Sequence, residues 1–405
     1  MRLGKPGTTG VAVAAAIFAW SGAQAAEYGP GASDTEILIG NTMPYSGPVS
    51  AYGTIGKLVA VCLDKKNEEG GVNGRKVRYI SLDDGYSPPK TVEQTRKLVE
   101  REKVLGVVQS LGTPTSFSVR KYLNQKKVPQ LLIASGGSMW GDYENYPWTM
   151  GYQPAYRTEG QIYGKYVAAN YPGAKIAVLY QNDDFGKDYL TGFKEGLGDK
   201  TDLIVAEETY ESTDPTVDSQ IINLANSGAD TFLNITTAKF AAQSIRKMAD
   251  IGWQPMHFLN NTSNSIGAVL KPAGLDKSVD IISADYLKDP TDPEWQDDED
   301  FKAWLDFMEN DFKGDKLDKL NVYAWSTCHA LIHILEKMGD TLTRENMLKQ
   351  AEDLDFEPPM LLPGIKVKTS PTDHFPIEQM QLIRFNGEAW ERFGEIIDVS
   401  GTASN

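Results

Sequence analysis

The amino-acid sequence predicts an α/β protein built from two successive units, each with a parallel β-sheet flanked by helices. Short apolar segments alternate with longer segments of helical periodicity, which is the pattern of a parallel sheet covered on both faces. The alternation runs to about residue 134 and starts again near residue 158. The dipeptide Asn386-Gly387, between two apolar segments, is a strong signal for a β-hairpin near the end of the chain.

The first unit is predicted to begin with a strand. Gly70-Gly71 ends its first helix, because glycine readily adopts the left-handed conformation that stops a helix, and Pro88 opens the second. The predicted elements are strands at 37–43, 77–82, 104–109 and 130–134, and helices at 52–69, 88–102 and 115–125.

The second unit repeats the alternation and is followed by a helical segment and a β-rich end. The predicted helices are 158–170, 186–197, 217–226, 239–252, 295–313, 322–337 and 344–353, and the predicted strands are 175–180, 203–208, 231–235, 256–260, 279–284, 364–368, 377–385 and 392–397. No Gly/Ser-rich linker separates the units, so we expect short crossings between two lobes rather than domains on a flexible tether.

The N-terminal segment, residues 1–25, is predicted to be a cleaved secretory signal peptide. Arg2 and Lys5 precede the apolar run 11–20, and Ala23-Gln24-Ala25 has the small-x-small pattern of a cleavage site. The residue after the cut is not cysteine, so no lipid anchor is expected there. We therefore expect an exported, soluble mature protein; the alternative is a buried N-terminal helix.

The charge of the chain argues against nucleic acid or anionic lipid as a partner. The formal charge is −15, and losing Arg2 and Lys5 with the signal peptide would make it −15 − 2 = −17. A surface this acidic repels phosphate backbones and anionic headgroups. No run of 18 apolar residues occurs, so no transmembrane helix is expected.

The two cysteines, Cys62 and Cys328, each lie on an apolar helical stripe. That position predicts burial, and two unbonded core thiols are the favoured interpretation. Export would permit a disulfide between them, which requires Cα atoms within about 7 Å of each other. The sequence alone leaves the pairing open.

Two strand ends in the first unit carry hydroxyl residues and glycines. One is 110–116, after strand 104–109, and the other is 135–138 within LLIASGGSMW. Ligands of parallel sheets bind beyond the carboxyl ends of the strands, where free N–H groups favour a carboxylate or a phosphate. Capping of the following helix is the other interpretation. A nucleotide is disfavoured because the chain has neither a P-loop nor GxGxxG after a strand.

Catalytic and metal-binding patterns are incomplete. The turn at 134–138 does not fit the GxSxG nucleophile elbow. His329 and His333 have metal-ligand spacing but no evident third ligand, so ordinary helix-surface histidines are favoured. Asp183-Asp184 are either paired carboxylates or a helix cap. We expect no catalytic residue, no metal and no cofactor.

Aromatic residues occur near several predicted strand ends and crossings. They suit rim and core packing, and equally an apolar cleft for a small molecule. These residues are Tyr45, Tyr52, Trp140, Tyr152, Phe185, Phe240 and Tyr286.

Several segments together resemble exported solute-binding proteins of ATP-binding cassette (ABC) transporters, most closely the leucine/isoleucine/valine-binding family. They are Ser46-Gly47-Pro48, Tyr52-Gly53, NEEGGVNGRK at 67–76 and Asp83-Asp84. The resemblance implies a type I periplasmic binding protein fold, two lobes joined by three hinge crossings that close on a ligand. Lobe I would comprise 26–152 and 286–362, and lobe II 153–285 and 363–405.

The resemblance also implies a set of ligand-binding residues. Thr113, Gly136 and Ser138 match positions that hold a ligand carboxylate in lobe I. Tyr52 and Phe185 match aromatic residues beside the ligand. Thr237 and Thr262 complete the predicted set on lobe II.

Amino-acid binders of this type carry an acidic residue after a lobe II strand, and the matching segment 258–263 has none; Thr262 is nearest to that place. An unpaired buried ammonium is costly, so a carboxylate without an α-amino group, aromatic or aliphatic, is the favoured ligand. Asp183 or Asp184 could substitute for the missing acid. A branched-chain or other amino acid is therefore the second candidate.

The resemblance implies a periplasmic monomer that delivers its ligand to a membrane permease without catalysis. An exported hydrolase that uses the 135–138 turn is the alternative of another class, and a sensory ligand-binding module is a third. The role of Trp140, beside the ligand or at the rim, stays open.

Overall fold

The structure, a computed structural model, describes residues 1–4, 7 and 26–399, so most of the predicted signal peptide lies outside the described residues. A five-stranded and a seven-stranded sheet, each flanked by helices, organise the chain. The predicted two-lobed α/β class is therefore confirmed. Within the described part of the chain, no helix combines the length and apolar character needed to cross a membrane.

The strands are numbered in chain order. They are β1 (Glu27–Tyr28), β2 (Glu36–Met43), β3 (Lys76–Asp83), β4 (Gly106–Val108), β5 (Gln130–Ile133), β6 (Thr149–Gly151), β7 (Ile176–Gln181), β8 (Ile204–Tyr210), β9 (Thr231–Ile235), β10 (Met256–Leu259), β11 (Ile282–Asp285), β12 (Thr341–Leu342), β13 (Asp355–Phe356), β14 (Val367–Lys368), β15 (Gln379–Phe385) and β16 (Trp390–Asp398).

The helices follow the same order. They are α1 (Thr54–Glu68), α2 (Pro88–Arg96), α3 (Thr113–Gln125), α4 (Tyr156–Asn170), α5 (Asp184–Leu197), α6 (Asp218–Asn226), α7 (Ala238–Ile251), α8 (Lys271–Ala273), α9 (Glu299–Phe307), α10 (Lys319–Lys337) and α11 (Arg344–Ala351).

The five-stranded sheet has the order β3-β2-β4-β5-β6, and its strands are parallel. The seven-stranded sheet has the order β16-β15-β11-β10-β9-β7-β8. Its last five strands are parallel. Four of them, β7, β9, β10 and β11, are mostly buried, as their continuous apolar runs predict, whereas the edge strand β8 is partly exposed. The β15–β16 hairpin is antiparallel. The predicted hairpin is confirmed, and Gly387 in its loop has a φ of 103° that suits glycine.

Most predicted elements lie within a few residues of the observed ones, and the departures are short. The predicted helix 295–313 is divided, because Asp298 leaves the helical conformation and caps α9 by accepting from the Phe301 N–H. The short strand β6, at the edge of the first sheet, was not predicted. Its three residues carry too little pattern to be recognised.

The chain passes between the sheets three times. The first passage lies between β6 and α4 and the second follows β11, close to the predicted boundaries at 152/153 and 285/286. The predicted third boundary at 362/363 comes too early. Val367 still pairs with Phe356, and His374 Nδ1 contacts the Thr149 carbonyl oxygen of the first sheet at 2.8 Å. The chain therefore returns to the second sheet only after His374, between β14 and β15.

Helices α4 and α5 pack unusually closely in the second lobe. A Cβ at Gly160 would lie 2.3 Å from the Tyr189 carbonyl oxygen, and one at Gly192 would lie 1.9 Å from the Arg157 carbonyl oxygen. Only glycine permits this approach at either position. The packing carries Glu159 of α4 into the core of the lobe, where it is buried.

The two cysteines form a disulfide between α1 and α10, with Cα atoms 6.6 Å apart. The favoured interpretation of two unbonded thiols was therefore wrong. Burial was predicted correctly for both residues, but the stripes on which they lie face each other. The bond fastens together two helices whose N-terminal ends both reach the cleft between the lobes.

Candidate functional site

A cleft lies where the two lobes meet. Residues from both lobes line it, and they come from the strand ends and helix starts where ligands of parallel sheets bind. Of the seven residues predicted to bind a ligand, five line this cleft. They are Tyr52, Thr113, Phe185, Thr237 and Thr262.

The residues that follow β4 form one wall of the cleft in lobe I. Gly112 has a φ of 101°, and a Cβ there would lie 2.4 Å from a ring carbon of Tyr86. Glycine at this position lets the chain turn against the aromatic ring and begin α3 at Thr113. Thr113 is consequently both the first residue of the helix and a wall of the cleft.

The turn after β5 stands directly behind Thr113. The Oγ atoms of Thr113 and Ser135 are 2.7 Å apart. Ser135 Oγ also accepts hydrogen bonds from the Gly137 backbone N–H and from Trp140 Nε1. Trp140 is 1 % exposed and does not line the cleft, so its role is to support the turn rather than to contact a ligand directly.

Gly136 and Ser138 are not among the described residues that line the cleft. A Cβ at Gly136 would meet the Pro154 carbonyl oxygen at 2.3 Å. Ser138 instead contacts the other lobe, donating from both its backbone N–H and its hydroxyl to the carboxylate of Asp188 on α5. In this arrangement Ser138 fastens one lobe to the other beside the cleft.

Tyr52 spans the gap between the lobes. Its hydroxyl donates to the Thr262 carbonyl oxygen at 3.0 Å, accepts from the Ala238 N–H at 3.0 Å, and lies 3.3 Å from Ser263 Oγ. Burial raises the pKa of this phenol, and its hydrogen bonds act in the opposite direction. The phenol therefore stays neutral and holds two lobe II loops at the cleft.

The lobe II threonines are held by neighbouring polar groups. Thr262 Oγ1 donates to Asn260 Oδ1 at 2.5 Å. Thr237 Oγ1 lies 3.4 Å from the hydroxyl of Tyr210, which also accepts from the Thr237 N–H at 2.9 Å. Both side chains thus have protein partners in addition to facing the cleft.

Phe185 closes the cleft from lobe II and is 3 % exposed. Its ring packs edge-on against Tyr156, with centroids 5.1 Å apart. Asp183 caps α5 by accepting from the backbone N–H groups of Phe185 and Gly186. The cap interpretation of Asp183 is therefore confirmed, and neither Asp183 nor Asp184 is a described lining residue of the cleft.

Lys319 is a lining residue that the sequence analysis missed. It is the first residue of α10 and the one charged residue among those described as lining the cleft. Its ammonium pairs with the carboxylate of Asp285, at the end of β11, and donates to Asn264 Oδ1 at 2.9 Å. The predicted helix began at residue 322, which left Lys319 in a loop; the available signal was the cap residue Asp318.

The carboxylate of Asp285 is fully engaged. Besides Lys319, it accepts from the backbone N–H groups of Tyr286 and Leu287 at 2.8 and 3.0 Å, and from Asn264 Nδ2 at 3.2 Å. An acidic residue therefore does stand at the end of a lobe II strand, but it is paired with a lysine of the protein and is not among the described residues that line the cleft.

The histidines have separate environments. His329 Nδ1 contacts the Trp325 carbonyl oxygen at 2.9 Å, and the ring of His333 stacks on Phe356. His257 is buried beside Asn234, and burial lowers its pKa to about 3. Among the described residues, no group of three or more His, Cys, Asp or Glu side chains is arranged to hold a metal.

Comparisons with known proteins agree with this geometry. A family model described as "Periplasmic binding protein" matches residues 36–389. The Leu/Ile/Val-binding protein homolog 2 of Brucella abortus (strain 2308) is 24% identical over 276 residues, which cover 65% of this chain and 71% of that protein.

Solved structures share the fold. A branched-chain amino acid ABC transporter protein from Thermus thermophilus with bound valine superposes with a TM-score of 0.80 at 15% identity, over 90% of this chain and 97% of that one. An ABC transporter solute-binding protein from R. palustris in complex with benzoate superposes with a TM-score of 0.76 at 18% identity, over 90% of this chain and 98% of that one.

Proposed function

Because the chain belongs to the periplasmic binding protein family, we propose that it is the exported component of an ABC importer and binds a small carboxylate, aromatic or aliphatic, in the interlobe cleft. It would act as a monomer in the periplasm and deliver this ligand to a membrane permease. The family consists of transport proteins rather than enzymes, so the hydrolase alternative is discarded.

The observation that carries the proposal is the composition of the cleft wall. Six aromatic rings line it, on Tyr52, Tyr86, Tyr156, Phe185, Tyr286 and Tyr323. Among the described lining residues, Lys319 is the one charged side chain, and none is acidic. An aromatic-lined cleft with a few polar groups suits an apolar body that carries one anionic group.

The polar groups at one end suit a carboxylate. Thr113 starts a helix of 13 residues, so its hydroxyl lies beside unpaired backbone N–H groups and the positive end of the helix dipole. A carboxylate there would gain charge-assisted hydrogen bonds in a site screened from water. An α-ammonium on the same ligand would have no free acid, since Lys319 occupies Asp285.

A ligand screen by thermal unfolding tests the proposal. Binding to the folded state alone stabilises by RT ln(1 + [L]/Kd), about 2.7 kcal/mol at a concentration of 100 Kd. We expect benzoate or octanoate to raise Tm more than leucine does. The Thr113→Val variant should lose most of this shift, and Thr113→Ser, which keeps the hydroxyl, should retain it.

A branched-chain amino acid is the second candidate, and the solved relative with bound valine favours it. A rise in Tm with leucine or valine, and none with the acids that lack an amino group, would reverse our order. The two ligand classes also differ in charge. Only an amino acid carries an ammonium group, and that group would need a partner other than Asp285, which is paired with Lys319.

A further inference from the structure

We propose that Ser135 and Trp140, which lie behind the cleft, orient the hydroxyl of Thr113 so that it donates a hydrogen bond into the cleft. This orientation sets the preference of the cleft for carboxylates. The inference rests on the proposed function. Three side chains stand in line from the interior outward: Trp140, then Ser135, then Thr113 at the cleft wall. Each is no more than 1 % exposed, so water does not compete for their hydrogen bonds.

The hydrogen-bond count at Ser135 determines the direction of the line. Ser135 Oγ accepts from Trp140 Nε1 at 3.1 Å and from the Gly137 backbone N–H at 3.2 Å. Both partners can only donate, and a hydroxyl oxygen has two lone pairs and one hydrogen. With both lone pairs occupied, Ser135 Oγ cannot also accept from Thr113 Oγ1, 2.7 Å away, so Ser135 is the donor in that contact.

Thr113 therefore accepts from Ser135 and keeps its own hydrogen for another partner. Carboxylates accept hydrogen bonds and donate none, and a charged acceptor forms the stronger bond. A primary amide of the same shape presents a neutral oxygen and an NH₂ group, so it gains less from a fixed donor. The direction imposed by Trp140 and Ser135 thus favours the acid over its amide.

Tyr156 is the neighbouring hydroxyl at this end of the cleft. Burial raises its pKa, and the nearby hydroxyls of Ser135 and Thr113 lower it in part. Tyr156 also lines the cleft, and its hydroxyl can donate as well, so it can supply a second hydrogen bond to a carboxylate beside Thr113.

Trp140 is held so that its N–H keeps pointing at Ser135. The Arg120 guanidinium lies 5.9 Å from the centroid of the Trp140 ring and 3.7 Å from that of Tyr146. It also donates to the Met139 carbonyl oxygen at 2.6 Å. These contacts of Arg120 hold the Trp140 ring in place, and the cation–π interactions contribute to this.

The experiment compares an acid with its primary amide in variants of this line. The probe is whichever of benzoate, octanoate and leucine binds the wild type most tightly, and calorimetry gives Kd for the acid and for its amide. Trp140→Phe removes the N–H and frees a lone pair on Ser135, so Thr113 can turn its hydrogen inward. We expect the preference for the acid to fall about tenfold.

Three further variants make the result specific. Trp304→Phe is the matched control, because Trp304 is equally buried and its Nε1 has no partner among the described residues. It should leave the preference unchanged. Ser135→Ala leaves Thr113 without its fixed donor and should lower the preference several-fold. In a Thr113→Val background, Trp140→Phe should have no further effect.

The outcomes separate this inference from the proposed function. An unchanged preference in folded Trp140→Phe overturns the inference alone, and if that variant does not fold, an unchanged preference in Ser135→Ala does so. A fall in Trp304→Phe as large as that in Trp140→Phe also overturns it. If none of the three acids binds the wild type, the proposed function fails and the inference fails with it.

Discussion

Replacing Lys319 with methionine is expected to destabilise the protein by about 3 kcal/mol. The side chains of Lys319 and Asp285 are only 8% and 5% exposed, and removing one partner of a buried ion pair costs about 3–5 kcal/mol. The effect should lie at the lower end because the Asp285 carboxylate keeps three other donors, from Tyr286, Leu287 and Asn264. Urea denaturation followed by circular dichroism gives the free energy of unfolding.

Two comparisons test the reasoning. Lys316→Met removes an exposed pair with Glu309 and should cost about 0–1 kcal/mol. The double variant Lys319→Met with Asp285→Asn removes both charges and should be more stable than Lys319→Met alone. A loss in Lys319→Met no larger than that in Lys316→Met would refute the argument. A double variant no more stable than the single one would refute it too.

Further predictions concern the disulfide, the contact between the lobes and pH. The Cys62→Ala and Cys328→Ala double variant should lose about 3–5 kcal/mol of stability in urea, because the bond joins residues 266 positions apart in the chain. Asp188→Ala should weaken binding of the acid probe about tenfold and, by small-angle scattering, leave the liganded protein less compact, since both donors of Ser138 lose their acceptor. Burial raises the pKa of Glu159 from 4.5 to about 7, so this residue should lower stability by about 3 kcal/mol as pH rises through that window. Glu159→Gln should remove that share of the dependence, while the buried carboxyls of Asp289 and Asp318, whose pKa values burial raises to about 6, should keep theirs.

Each of these predictions has a result that contradicts it. Unchanged stability in the cysteine double variant would mean that the unfolded chain is not restrained by the bond. Equal affinity and compactness in Asp188→Ala would mean that Ser138 does not hold the lobes together. If stability rises with pH between 4.5 and 7 in the wild type and not in Glu159→Gln, Glu159 is ionised more easily in the folded state than the structure indicates.

Local patterns were sufficient to predict most of the secondary structure and part of the cleft. Gly70-Gly71 and Pro88 mark helix ends through their own backbone preferences, so neighbouring residues are not needed to recognise them. The segment after β4 follows the same logic: a glycine and a threonine between a buried strand and a helix must face the carboxyl edge of the sheet. Thr113 therefore lies where the sequence predicts.

Residues whose role depends on a distant partner were not predictable in this way. Ser138 was predicted to hold the carboxylate of a ligand, yet it hydrogen-bonds to Asp188, fifty residues away on the other lobe. Cys62 and Cys328 were correctly predicted to be buried, but periodicity does not say which two buried stripes meet. Lys319 looks like a loop lysine until α10 is seen to begin at the cleft.

The order of strands and helices, the apolar faces and the strand ends at which a ligand can bind follow from backbone preference and from the spacing of apolar residues, both of which can be read along the chain. The chemistry of the cleft depends on which residues the fold brings together. The pairing of Asp285 with Lys319 neutralises the acid at the end of β11. Bringing Trp140 against Ser135 assigned a direction to the hydroxyl of Thr113. Charge neutralisation and hydrogen-bond direction depend on contacts of a few ångströms between residues far apart in the chain, and only the folded molecule sets those distances.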